Sequence, residues 1–195
     1  MKLSKSRIEG AWLIDPVRHG DERGWFQEWF KKSEVEKQIG FSFEPVQLNI
    51  SHSQQGVVRG IHYSIALEGQ AKYVTVMSGE IDDYIIDIRP ESPTFGQWER
   101  VRLSSTVGNS VLLGSNLAHA FQCVSPEATV CYAVSAEFNP EAEKAINPLC
   151  PILQIEWNKN FSILLSPKDE AAPNLNQQKS SGLLPHFQPD NGLAQ

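Results

Sequence analysis

Cysteine, methionine and long apolar runs are scarce in this chain. Its three cysteines, Cys123, Cys131 and Cys150, have no CxxC spacing, which argues against a disulfide framework or a zinc ribbon and predicts reduced packing thiols in the cytoplasm. Nowhere do about 18 apolar residues follow one another, and the opening MKLSKSRIEGAWLIDP has no apolar run of signal-peptide length. Neither export nor a membrane span is therefore expected. Basic residues are outnumbered, with 17 Lys and Arg against 23 Asp and Glu and a formal net charge of -6. That balance disfavours a nucleic-acid or anionic-membrane partner, so an anionic ligand would have to be met by a local cluster of cations. No HxH pair occurs, and His19, His52 and His186 stand in unrelated contexts; the expectation is an acid/base site without metal.

A length of 195 residues with 41% hydrophobic content suits one domain, residues 1–195, with a polar tail from about residue 174. Arg7 to Pro16 reads as a first strand, and Lys32 to Gly40 as a short helix stopped by glycine. From Pro45 onward, short runs rich in Val, Ile and Tyr recur between Gly, Ser, Asn and Pro: VQLNI, GVVRGIHY, AKYVTVM, EIDDYIIDI, WERVRLS, SVLLG, AHAFQCV and ATVCYAVSAEF. Their number and spacing predict an all-β sandwich or barrel. VMSGEIDD reads as a tight hairpin turning at Gly79, and RPESPTFG as a longer connection. The tail from Asn174 to Gln195 reads as docked or frayed.

The stretch from Gly56 to Trp98 puts Arg59, His62, Lys72, Asp83 and Asp87 on otherwise apolar strands, where an ionisable group must be paired, hydrated or employed. Two-residue alternation sets Lys72 with Val74 and Val76, Tyr132 with Val130 and Val134, and Asp83 with Ile81 and Ile85. Singly, each reads as a hydrogen-bonded packing residue. Several converging on one barrel interior read as an active site. Strict alternation puts Arg59 and His62 on opposite faces. Either a bulge or close backbone approach at Gly60 re-aims one of them, or Arg59 faces solvent or a subunit interface. In DERGWFQEWF, Arg23 and Glu28 sit among Trp25, Phe26, Trp29 and Phe30; this is a solvated charge cluster or, with guanidinium forks beside aromatic faces, part of a nucleoside-diphosphate site.

RGIHY, QAKYVTV and SPTFGQW, followed in order by AHAF, CYAVSAEFNPEAE and LSPKDEAAP and preceded by DERGWFQEWF and QLNIS, resemble the dTDP-4-dehydrorhamnose 3,5-epimerase family over nearly the whole chain. The resemblance implies a cupin-like jelly-roll barrel with a few short peripheral helices, a homodimer that exchanges strands, a nucleotide-linked 4-keto-6-deoxyhexose as substrate, and no cofactor. It further implies His62 as general base, Asp169 as its orienting carboxylate, Tyr132 as the acid and Lys72 as the cation beside the carbonyl oxygen. Arg23, Glu28, Gln47, Asn49, Arg59, His119, Glu143 and Lys168 become substrate or nucleotide contacts, and Asp83 a partner for His119. The chain departs from the family pattern at LGSNLAHAF, with Ala120 where a glycine is usual, at Glu137 and Phe138 in place of two aromatics, and at PLC, Pro148 to Cys150. Inversion of carbon 3, carbon 5 or both is the activity implied; a ketoisomerase, a non-catalytic sugar-binding barrel and a metal-dependent cupin oxygenase are the alternatives.

Overall fold

Every one of the apolar runs after Pro45 forms a strand. The computed structural model describes residues 1–67 and 69–187. In chain order its elements are β1 (Lys2–Lys5), β2 (Ala11–Asp15), β3 (Arg18–Asp21), β4 (Gly24–Gln27), α1 (Lys32–Ile39), β5 (Gln47–Gln54), β6 (Val58–Ser64), β7 (Lys72–Ser78), β8 (Glu80–Ile86), β9 (Trp98–Ser104), β10 (Ser110–Leu113), β11 (Ala118–Cys123), β12 (Glu127–Val134), β13 (Glu143–Ala145), α2 (Pro167–Glu170) and α3 (Leu175–Ser180). No helix among them is long and apolar enough to cross a membrane.

The strands form a six-stranded sheet, ordered β1-β2-β10-β7-β12-β5, and a five-stranded sheet, ordered β13-β6-β11-β8-β9. From β5 to β12 the chain passes repeatedly from one sheet to the other, which is the jelly-roll arrangement. Alternation then fixes three apolar layers. Val74, Val76, Val111 and Val130 of the first sheet meet Ile81, Ile85, Leu103 and Phe121 of the second in the interior. On the outer face of the first sheet, Trp12, Tyr73 and Leu112 bury Val35 and Ile39 of α1. On the outer face of the second, Ile61, Tyr84 and Ile86 are covered by Trp157, Leu175 and Leu184. The tail is therefore docked as far as Leu184; residues 188–195 lie outside the described part.

Three local expectations are corrected. The strand expected over Arg7 to Pro16 starts later, at Ala11, and is the second arm of a hairpin with β1, whose turn closes through Ser6 N–H to Ala11 C=O at 3.0 Å. Arg18 to Gln27 is a second hairpin, which the charge and aromatic content had disguised as a cluster. It is clamped to the body by Arg18 Nη2 on Ser105 C=O (2.7 Å) and Gln27 Nε2 on Gly108 C=O (2.9 Å). Most consequentially, β7 and β8 do not pair: they belong to opposite sheets, and Gly79 turns the chain across the sandwich edge. Its φ is +78°, and a Cβ there would lie 2.1 Å from Glu127 C=O. The short β13 was not foreseen.

Left-handed backbone and a collision with main chain combine at Gly79, so Gly79→Ala is expected to lower the unfolding free energy by about 2 kcal/mol or more. Urea denaturation measures this; a midpoint equal to that of the wild type would contradict the corner geometry.

Candidate active site

The conflict between Arg59 and His62 is resolved by a bulge. Against β11, Arg59 pairs with Phe121 and His62 with His119, so Gly60 and Ile61 together face Ala120 alone. Gly60 has φ +116°, and a Cβ on it would fall 2.6 Å from Ala120 Cβ and 2.7 Å from His119 C=O. The methyl group of Ala120 thus sits directly against the missing side chain of Gly60. Because one residue is inserted, Arg59 and His62 both line the same cavity of about 420 Å³.

That cavity also takes in Lys72, His119, Tyr132, Lys168 and Asp169. A second lobe of about 320 Å³ shares His62, Lys72, Tyr132 and Lys168 with the first and adds Gln47, Asn49 and Glu143. All but two of the residues singled out for catalysis or substrate contact are therefore gathered around one continuous hollow. The exceptions are Arg23, paired with Asp21 at the exposed tip of the β3–β4 hairpin, and Glu28, beside Lys31 at 3.8 Å; neither lines the hollow within the single chain.

Two imidazole and carboxylate pairs face it. His62 Nε2 lies 2.7 Å from Asp169 Oδ1, with the carboxylate shielded and the ring open to the cavity. Asp169 is held by α2, whose N-cap Ser166 Oγ accepts the Asp169 N–H at 3.1 Å. Burial pushes the Asp169 carboxyl upward, but the His62 hydrogen bond and charge, with bonds from Ser166 and the Gly60 N–H, outweigh it and leave the group below its ordinary value. The second pair, His119 Nε2 to Asp83 Oδ2, spans 2.6 Å. Asp83 is completely buried and its Oδ1 has no partner.

Lys72 and Tyr132 lie on the other sheet, across the cavity from His62. Burial pulls the Lys72 ammonium below its usual pKa, opposed by the charge of Glu143. For Tyr132, burial and then Glu143 raise the phenol, while Arg59 lowers it less. The arrangement offers a proton acceptor backed by a carboxylate on one wall, and on the facing wall a phenolic proton and a cation in a water-poor setting.

Asp87, grouped with these residues on sequence, does not belong to the site. Its carboxylate accepts Arg89 Nε (2.9 Å) and Nη2 (2.7 Å), Ser92 Oγ (2.5 Å) and Thr94 Oγ1 (2.6 Å), so it ties down its own loop. Burial raises its pKa, and these bonds more than reverse the effect. Glu137 is exposed and outside the cavity lining, whereas Phe138 stands on the rim of the second lobe. Ser51, Gln70, Lys144 and Ser166 line the cavity and were not anticipated. Continuing the alternation of Gln47 and Asn49 would have found Ser51; Lys144 gives no comparable signal. Among the described residues, no group of three or more His, Cys, Asp or Glu side chains could hold a metal ion.

The depressed Asp169 pKa stabilises the fold above the ordinary carboxylate range, and that contribution is lost as pH falls through the folded-state value. Removing the ring leaves the burial and takes away its largest counterweight. In His62→Ala the Asp169 carboxyl is therefore expected to titrate at higher pH than in the wild type, followed by carbon-13 NMR; an unchanged titration would mean the pair is not coupled.

Comparison with known proteins bears on the fold and the family. A family model described as dTDP-4-dehydrorhamnose 3,5-epimerase matches residues 5–177. A dTDP-4-dehydrorhamnose 3-epimerase of Streptomyces niveus is 40% identical over 187 residues, covering 96% of this chain and 90% of the relative. A dTDP-4-dehydrorhamnose 3,5-epimerase of Mycobacterium tuberculosis is 38% identical over 190 residues, covering 96% and 94%. Among solved structures, the 4-keto-6-deoxy sugar epimerase of the novobiocin biosynthetic gene cluster of Streptomyces spheroides superposes with a TM-score of 0.93 at 40% identity, covering 96% of this chain and 94% of that one. The 3'-monoepimerase of Streptomyces bikiniensis, solved in complex with dTDP-quinovose, gives 0.90 at 40% identity, covering 94% and 92%. With a matched region that spans most of the sequence and relatives this similar over nine-tenths or more of their length, the chain belongs to the dTDP-4-dehydrorhamnose 3,5-epimerase family.

Proposed function

We propose that the protein is an isomerase that inverts carbon 3, carbon 5 or both of a nucleotide-linked 4-keto-6-deoxyhexose. The observation that carries this reading is the placement of His62 on one sheet, with Asp169 of α2 beside it, and of Tyr132 on the facing sheet, around one cavity. The ketone at carbon 4 acidifies the hydrogens on its two neighbours. His62, with Asp169 stabilising the imidazolium, removes one of them. Lys72 lies beside the oxygen that becomes the enolate, where a buried donor contributes about 3 kcal/mol. Tyr132 then returns a proton from the opposite side, and the centre inverts. A ketoisomerase would pass the proton along one face, so an acid on the facing wall favours epimerisation.

Arg59 is the cation for the diphosphate, with Gln47, Asn49, His119, Glu143 and Lys168 as further substrate contacts. Arg23 and Glu28 fit a homodimer in which the β3–β4 hairpin and the residues after it reach the partner's cavity. Supporting this are the exposed Trp25 and Phe26 on the hairpin and Leu48 and Ile50 on the edge strand β5, large apolar side chains left open to a second copy. Residues 1–195 act as one catalytic domain, and the unpaired buried cysteines suit a cytoplasmic setting.

Incubation with nucleotide 4-ketosugars in heavy water, followed by NMR at each carbon, tests this reading and reports which carbons exchange. His62→Ala is expected to reduce deuterium entry by about 10²–10⁴-fold. Tyr132→Phe should retain part of the exchange while losing most of the inverted product. Inversion at the wild-type rate by Tyr132→Phe would remove Tyr132 from the reaction.

A further inference from the structure

The inward face of β5 carries Gln47, Asn49, Ser51 and Ser53, while Leu48 and Ile50 point outward. Three of the four inward residues are engaged. Gln47 Nε2 donates to Asn49 Oδ1 at 2.7 Å, and Ser53 Oγ accepts from Arg59 Nε at 3.0 Å. Ser51 alone among them has a hydroxyl that is buried without a partner. A hydroxyl can donate one hydrogen bond and accept two, and a folded protein rarely leaves such a group bare unless a ligand or water completes it.

Its position identifies the part of a ligand it would meet. Across the ladder Asn49 faces Tyr132 and Ser51 faces Val130, so Ser51 is one inward step from Tyr132 toward Ser53 and the Arg59 guanidinium. It lines the same lobe as Arg59, His62 and Lys72. This inference rests on the function proposed above, in which the diphosphate lies at Arg59 and the reacting carbons lie between His62 and Tyr132. Between a glycosyl phosphate and carbon 3 of a hexose stand only carbons 1 and 2, and the free hydroxyl of that stretch is the one on carbon 2. The geometry points to Ser51 as the residue that recognises the carbon-2 hydroxyl and so discriminates 2-hydroxy from 2-deoxy sugars. Rotation about χ1 between staggered wells is enough to turn its Oγ toward the sugar.

A site built to bond a substrate hydroxyl rejects the analogue that lacks it, because the protein group is then left unpaired. The test measures kcat/KM, by deuterium incorporation, for a nucleotide 4-keto-6-deoxyhexose and its 2-deoxy counterpart, in the wild type and in Ser51→Ala. The wild type is expected to prefer the 2-hydroxy sugar by about tenfold or more. In Ser51→Ala the loss should fall mainly on that sugar, so that the ratio collapses toward one, with circular dichroism confirming an intact fold. A wild-type ratio near one overturns the assignment without recourse to any variant. A ratio that Ser51→Ala leaves unchanged, or a variant that slows both sugars equally, overturns it as well. Failure of the wild type to exchange either sugar would instead remove the epimerase reading, and this inference with it.

Discussion

A regular strand sends neighbouring side chains to opposite faces, and residues three apart, such as Arg59 and His62, cannot share one. The extra residue that β6 carries against Ala120 lifts that restriction, and the proposed site depends on it. Without the insertion, either the guanidinium or the imidazole would leave the cavity. With it, His62 faces both Asp169 on α2 and the hollow toward Tyr132, while Arg59 reaches along the wall to β5. The contact of Gly60 with Ala120 shows how little room the backbone has there: at this point the fold demands a residue without a side chain, and a small one opposite it.

Burial of charge is the second organising constraint, and the manner of pairing separates scaffold from site. Asp87 is surrounded by donors from its own loop, which leaves it nothing to offer a ligand. Around the cavity the accounting is incomplete. His62 is satisfied on its carboxylate side and open on the other, Lys72 is buried with only the charge of Glu143 to oppose its desolvation, and Ser51 keeps a bare oxygen. Groups left short of partners in a common hollow are what a polar substrate would complete.

Much of this was legible in the sequence. The two-residue alternation of Val, Ile and Tyr identified the strands from β5 to β12 and correctly turned Lys72, Tyr132 and Asp83 inward, because alternation is a local property of the chain. The same reasoning offered a bulge at Gly60 as one way out, beside a solvent-facing Arg59, since Gly60 stands between two residues that could not otherwise face one way. What local patterns cannot encode is which strands pair. Gly79 marks a turn whether the flanking strands join one sheet or part to two, so the expected hairpin was wrong while its glycine was right. Asp87 misled for a related reason, because its partners Ser92 and Thr94 lie in a loop whose fold the strand pattern does not fix. Arg23 and Glu28 stand on or beside a hairpin that docks on the 105–108 turn of its own chain, an association set by backbone carbonyls and invisible in residue identity.

The central claim is that His62 and Asp169 act as one unit facing Tyr132. A double-mutant cycle on kcat with His62→Ala, Asp169→Asn and the combined variant tests it most directly. If the carboxylate works only through the imidazole, the combined variant is expected to lose little more than His62→Ala alone. Losses that simply multiply would contradict the account, since Asp169 would then act independently of the ring it touches.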